Sequence, residues 1–260
     1  MFISQNGDLF ISRRSAKLSA DISRGLRVFR YLFIMMFAVV GCSTPQAQVT
    51  VSPANRFSEV GIVDIKDLIP DVSLDIRYAG TNNFVGQRID GYASSKCFLH
   101  KDVATALSRV DRELRKQDFR LKIFDCYRPI RAVKHFVRWA EDVNDVRTKS
   151  TFYPALPKTA LLGEYIALVS GHSRAATLDL TLEKCEAGQC REVDMGTPFD
   201  FFDERAHTDF PAITSEQRAN RNRLRDEMSR AGFENYAAEW WHYTFRPEPS
   251  PGVAYDIPVE

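Results

Sequence analysis

Over residues 101–117 the apolar residues Val103, Leu107, Val110 and Leu114 recur at spacings of four, three and four, which lines one face of a helix. Directly after it, Phe119, Leu121 and Ile123 alternate with Arg120 and Lys122, the period-two pattern of a strand. That strand runs into Asp125-Cys126-Tyr127-Arg128-Pro129, and Pro129 suits the first turn of a following helix, where its missing N–H costs nothing. The second helix is expected to bury Val133, Phe136, Trp139, Ala140 and Val143, leaving Arg128 at the strand-to-helix junction. Residues 165–169 read as a second buried strand and residues 177–182 as a third, with clean alternation. Thr214, three residues before Gln217, forms a capping box for a helix reaching Arg230, with Gly232 just past its end. Residues 239–245 supply the last strand. Helices beside several short strands, without strict strand–helix alternation, predict a single α+β domain with a central, mostly antiparallel sheet flanked by helices.

The N-terminal pattern is different. Arg24, Arg27 and Arg30 precede an uncharged apolar run over residues 31–40, which ends at Gly41-Cys42. This is the layout of a signal peptide, and a run of about ten residues is half the roughly 20 that a membrane-spanning helix needs. Gly41 before Cys42, with aliphatic residues preceding it, resembles the lipobox of bacterial lipoproteins, in which the cysteine is lipidated. Residues 1–41 are therefore expected to be a lipoprotein-type signal peptide. Residues 42–56, rich in Pro, Ser and Gln, are expected to be a polar linker, and residues 57–260 the folded domain. An exported, periplasmic protein held to the membrane only through Cys42 follows.

Export changes the meaning of the other cysteines, at 97, 126, 185 and 190, because an even number in an oxidising compartment suits disulfides. Cys185 and Cys190 bracket Glu-Ala-Gly-Gln, whose glycine suits a turn, so local pairing is easy and leaves Cys97 with Cys126. Three connectivities are formally open, and this one is favoured. A four-cysteine zinc site fits poorly, since no C-x2-C pair is present.

Charge narrows the function. The 35 basic and 34 acidic residues give no surplus that would argue for nucleic acid, and without residues 1–41 the balance becomes 29 against 32. A polyanion-binding role is therefore disfavoured, and no protein partner is indicated.

Two clusters carry candidate chemistry: Ser170-Gly171-His172-Ser173-Arg174-Ala175-Ala176-Thr177-Leu178-Asp179, and Glu239-Trp240-Trp241-His242. Two imidazoles and a carboxylate fill three positions of a tetrahedral zinc site and leave the fourth for water, so His172, Asp179 and His242 are candidate ligands for one Zn2+ per chain. In an unbroken strand His172 and Asp179, seven apart, face opposite sides. Both reach one ion only if the chain bends between them, and Ser173, Ala175 and Ala176 would permit that. Glu239 and His242 have the same parity problem, which a turn leading into the strand at Trp241 resolves. Glu239 is placed to act as general base, and Arg128, fixed in charge, to stabilise an oxyanion. A single histidine on a strand is more often a hydrogen-bonded core residue, and the pairing of motifs is what raises these two above that reading. Trp240 and Trp241 read as core or pocket wall, and His100, His135 and His207 as surface or satisfied histidines.

DCYRPIRAV, SGHSRAATLDLTL and EWWHY, three separated motifs in the right order, resemble the zinc-dependent D-alanyl-D-alanine dipeptidases of the vancomycin-resistance type. These share a superfamily with D-Ala-D-Ala carboxypeptidases and the Hedgehog signalling domain. The likeness runs from about residue 60 to the C-terminus. It implies a zinc site at the sheet held by His172, Asp179 and His242, Glu239 as base and Arg128 on the oxyanion. It further implies that Tyr78 and Asp200 hold the substrate's ammonium group, with Ser170 nearby. Two departures stand out: Ala175 replaces the family's glycine three residues after the first histidine, and Gly171 replaces the serine before it. If that glycine needs positive φ, Ala175 strains the loop. The rival activities are a carboxypeptidase trimming peptidoglycan stem peptides and a catalytically inactive lipoprotein that binds cell-wall peptides.

Overall fold

The computed structural model describes residues 49–260, so the expected signal peptide, Cys42 and the linker as far as residue 48 lie outside the described residues. In chain order the strands are β1 (Thr50–Val51), β2 (Ile62–Asp64), β3 (Ser73–Leu74), β4 (Phe98–His100), β5 (Phe119–Asp125), β6 (Thr177–Glu186), β7 (Gln189–Glu192), β8 (Phe233–Asn235), β9 (His242–Phe245) and β10 (Val253–Ala254). The helices are α1 (Lys101–Arg115), α2 (Ile130–Glu141), the single-turn α3 (Lys149–Phe152) and α4 (Ser215–Arg230). Six strands form the main sheet in the order β3-β5-β6-β9-β8, with β7 also paired to β6. Only the β3–β5 pairing in it is parallel, so the expected α+β domain with a mostly antiparallel sheet is what forms.

The helix α1 buries Val103, Leu107, Val110 and Leu114 against β5, as the four–three–four spacing requires. On β6 the leucines 178, 180 and 182 are fully buried, and so are Thr177 and Thr181 of the opposite face. A central strand covered on both sides explains that burial. Helix α4 carries the complete Thr214/Gln217 capping box, and Gly232 follows its end at φ 94°.

Three expectations shift. Residues 165–169 form no strand: Leu162 and Ile166 close a tight loop, Ile166 is buried, and Leu168 and Val169 are exposed. An apolar run becomes a strand only where a neighbouring strand offers its backbone groups, and none is available there. Val143 lies beyond the end of α2 and is exposed rather than buried. Ordered structure also starts before Phe57, because Thr50 and Val51 pair in parallel with Val253 and Ala254, so part of the expected linker is a strand.

Candidate active site and metal centre

Asp179 sits in the middle of the sheet, paired across to Asp125 of β5 on one side and His242 of β9 on the other. Its neighbours in space are thus fixed by strand register. His172 arrives by a different route. Ser170 caps a single 3-10 turn, Gly171–Arg174, by accepting from the His172 N–H, and Ala175 then turns the chain at φ 55°, ψ 28° into β6. This is the bend that the parity of residues 172 and 179 demands. Ala175 adopts a left-handed conformation that a glycine takes freely and that costs an alanine roughly 1–2 kcal/mol. The other departure has a steric reason: a Cβ at residue 171 would lie 2.9 Å from Thr177 Oγ1.

The second bend is at residues 236–241. The Glu239 N–H donates to the Tyr236 carbonyl and the His242 N–H to the Glu239 carbonyl, a helical turn that puts Glu239 and His242 on one side before β9 begins. Asn235 clamps this turn by donating to the carbonyls of Glu239 and His242, both at 3.0 Å. The strand expected from Glu239 therefore starts at His242.

The three ligand-type side chains offer atoms that all lie within 4.8 Å of one another. His172 Nε2 is 3.3 Å from His242 Nδ1 and 3.4 Å from Asp179, while His242 Nδ1 is 3.1 Å from Asp179 Oδ1. Asp179 Oδ1 is nevertheless buried without an aligned hydrogen-bond donor. The distance and the missing bond describe two groups that face a common space rather than each other, which is the arrangement a cation between them would complete. His172 Nδ1 lies 2.7 Å from the Cys126 carbonyl, so the proton belongs on Nδ1 and the Nε2 lone pair points to the cluster.

Electrostatics match this geometry. Burial opposes ionisation of Asp179, but the imidazoles of His172 and His242 outweigh it and hold the carboxyl well below the usual range. Burial pushes His172 down, favouring the neutral ring that a ligand must present. Glu239, 3.4 Å from His242, is pushed up to about 7, by burial first and by the charge of Asp179 in addition. Burial, then Asp179, raise Asp200 well above the ordinary carboxylate range.

These groups line one cavity of about 210 Å³, together with Tyr78, Arg128, Ser170, Asp200 and the 163–167 loop. That is below the roughly 300–1,000 Å³ of sites for drug-sized ligands. Tyr78 donates to both oxygens of Asp200, at 3.2 and 3.1 Å. The Arg128 guanidinium packs 5.0 Å from the ring centres of both Tyr78 and Phe136, bonds Asp125, and reaches to 3.6 Å from Asp179.

A family model described as D-ala-D-ala dipeptidase matches residues 58–259. A D-alanyl-D-alanine dipeptidase of Enterococcus faecium is 37% identical over 203 residues, 78% of this chain and 100% of the relative. The chain belongs to the D-Ala-D-Ala dipeptidase family. A second dipeptidase of that name, from Streptomyces coelicolor, is 37% identical over 75% of this chain and 96% of its own length. One from Escherichia coli is 31% identical over 70% and 83%. Among solved structures, the zinc-bound vancomycin-resistance D,D-pentapeptidase VanY aligns over 60% of this chain and 77% of its own, at 14% identity and a TM-score of 0.36, too loose a likeness to speak for the fold.

In this dipeptidase-family chain all eight residues singled out for the metal, the chemistry and the substrate meet at one cavity. Both disulfides are formed in the expected pairing, Cys97–Cys126 and Cys185–Cys190. Sequence reasoning missed three supports. Asp125, fully buried, accepts from Tyr92 Oη at 2.6 Å and from Arg128 Nε at 3.0 Å, and lies 3.4 Å from His172 Nδ1. Its signal was the acidic residue closing a buried strand three positions before an arginine. Arg221 of α4, also buried, donates to the carbonyls of Met195, Arg205 and His207 and so pins the loop that carries Asp200. Tyr236 stands 5.7 Å from the His242 ring and reaches the Glu164 carbonyl across the cavity mouth. Neither had a sequence signal. Of the remaining histidines, His135 bonds Gln87 and Asp90, and His100 is buried beside Tyr255.

Proposed function

We propose that this chain is a zinc dipeptidase that hydrolyses free D-alanyl-D-alanine. The observation that carries the reading is the buried Asp200–Tyr78 pair in the same small cavity as the His172/Asp179/His242 cluster. A buried carboxylate without a cation is unfavourable, and a substrate ammonium group supplies the missing charge. An acylated stem peptide has no such group and needs room for a long chain, so the cavity favours the dipeptide over the carboxypeptidase substrate.

His172 Nε2, His242 Nδ1 and an Asp179 oxygen would hold zinc, a donor set of the kind that catalytic zinc takes. When bound, zinc supplies a Lewis acid that activates water and polarises the scissile carbonyl. Glu239, its carboxyl matched to neutral pH by burial, takes the proton of the attacking water and returns it to the leaving amine. Water adds across the C–N bond, and two alanines leave. Arg128, held by Asp125 and stacked on Tyr78, places its charge where the tetrahedral oxyanion forms. Asp200 and Tyr78 bind the ammonium end, and Ser170 lines the wall nearby.

The setting we propose is the cell envelope, with the signal at residues 1–41 removed and Cys42 lipidated. The arginines before the apolar run, Gly41-Cys42 and the two disulfides support it. An exported enzyme meets dipeptide released outside the cytoplasm, so salvage is the role that fits.

The test sets free D-Ala-D-Ala beside its N-acetylated form, with zinc-loaded protein. Cleavage of the free dipeptide with little action on the acylated one supports the assignment, whereas preference for the acylated form overturns it in favour of a carboxypeptidase. No hydrolysis of either would favour the inactive peptide binder.

A further inference from the structure

The Cys97–Cys126 disulfide takes no part in the chemistry above, yet both segments it joins grip the turn that carries His172. On one side, the Cys126 carbonyl lies 2.7 Å from His172 Nδ1, and two residues later the Arg128 N–H donates to the His172 carbonyl at 3.2 Å. On the other, Cys97 leads directly into β4, whose last residue, His100, donates its N–H to the Ala175 carbonyl at 2.9 Å. Tyr127 N–H bonds the Phe98 carbonyl at 3.1 Å, so the two segments also touch each other. The turn from Gly171 to Ala175 is therefore held between two stretches of chain 29 residues apart in sequence and tied at a Cα–Cα distance of 5.2 Å. Both cysteines are buried.

The contact to His172 is the sensitive one. A ring that donates from Nδ1 keeps its lone pair on Nε2, the atom turned to His242 and Asp179, and partners of this kind set the tautomer and angle of a metal-binding histidine. Here the nearer partner is the backbone carbonyl of a disulfide-bonded residue, at 2.7 Å, with Asp125 Oδ2 farther off at 3.4 Å. The other bridge offers a control, since Cys185–Cys190 closes the β6–β7 hairpin, six residues along β6 from Asp179 and roughly 20 Å away at 3.3 Å per residue.

We propose that the Cys97–Cys126 disulfide is a positioning device for the metal centre: it holds the Cys126 carbonyl against His172 Nδ1, so that zinc affinity depends on the oxidation of this one pair. The inference rests on His172 being a zinc ligand. It gives the envelope location a chemical consequence, because the same chain made in a reducing compartment would hold its metal weakly.

Zinc affinity of the full-length chain, measured by competition with a chromophoric chelator, tests it. The double variant Cys97→Ser with Cys126→Ser is expected to bind zinc about 10- to 100-fold more weakly, and Cys185→Ser with Cys190→Ser within about twofold of the wild type. Unchanged affinity in the first variant, or an equal loss in both, overturns the proposal. A second measurement needs no variant: nitrogen-15 NMR of the zinc-free wild-type protein should show His172 protonated at Nδ1, losing that preference when the buried disulfide is reduced. Finding the proton on Nε2 in the oxidised protein overturns the proposal even if the double variant fails to fold. If the wild-type protein took up no zinc, the metal assignment would fail, and the tautomer would still decide whether the disulfide positions the ring.

Discussion

Replacing Asp200 by Asn separates what the fold needs from what the substrate needs. Asparagine keeps the shape and can still accept from Tyr78, so at this 4% exposed site the change removes mainly the negative charge that the carboxyl carries once an ammonium group is bound. Truncating one partner of a buried charged pair costs about 2–5 kcal/mol, and since each 1.36 kcal/mol is tenfold in rate, kcat/KM for free D-Ala-D-Ala should fall by roughly 30- to 5,000-fold. The N-acetylated dipeptide has no ammonium group, so its slow hydrolysis should change little and the ratio between the two substrates should collapse. Stability should move the other way. Burial, followed by the charge of Asp179, raises the Asp200 carboxyl in the folded, substrate-free protein above its unfolded value. A raised carboxyl contributes stability below the unfolded pKa and loses it as pH rises through the folded one. At pH 8 the wild-type protein should therefore gain Tm from this substitution, and at pH 4 the gain should vanish. Steady-state kinetics on both substrates and thermal melts at the two pH values make the check. A kcat/KM within threefold of wild type, or a substrate ratio that does not move, would refute the ammonium-binding role.

Glu239→Ala should retain one zinc per chain by metal analysis while kcat drops by about 10²–10⁴-fold, as expected for a lost general base; loss of the metal would place Glu239 among the ligands instead. Arg221→Met leaves the carbonyls of Met195, Arg205 and His207 without their donor, so it should lower Tm and raise KM more than it lowers kcat, through the loop that carries Asp200. Leu107→Ala, at a fully buried position of α1, should cost about 2–5 kcal/mol by denaturant titration with kinetics of the folded fraction unchanged. Thiol counting on exported, denatured and unreduced protein should find none of Cys97, Cys126, Cys185 and Cys190 reactive.

Much of this site was legible because its chemistry is local. The bends at Ala175 and before His242 followed from counting residues against the period of a strand, and the capped helix α4 from Thr214, Gln217 and Gly232. Periodicity is enforced by backbone hydrogen bonds within a few residues, so it is written along the chain. What the chain order could not tell was where each element would find a partner. The apolar run at residues 165–169 had the composition of a strand but met no free sheet edge, and became a loop at the cavity mouth. Thr50 and Val51 had the composition of a linker but met β10, more than 200 residues away. Tyr92 and Arg221 matter only through contacts between distant segments, and no spacing rule encodes those. The sequence by itself determined the ligand types and their bends, and favoured one cysteine pairing of the three open to it. Tertiary structure alone decided that strand register would set Asp179 between Asp125 and His242, and that Tyr78 and Asp200, 122 residues apart, would close the far end of the cavity. Register and cavity shape arise from the packing of whole elements against one another, and packing is a property of surfaces that exist only once the chain has folded.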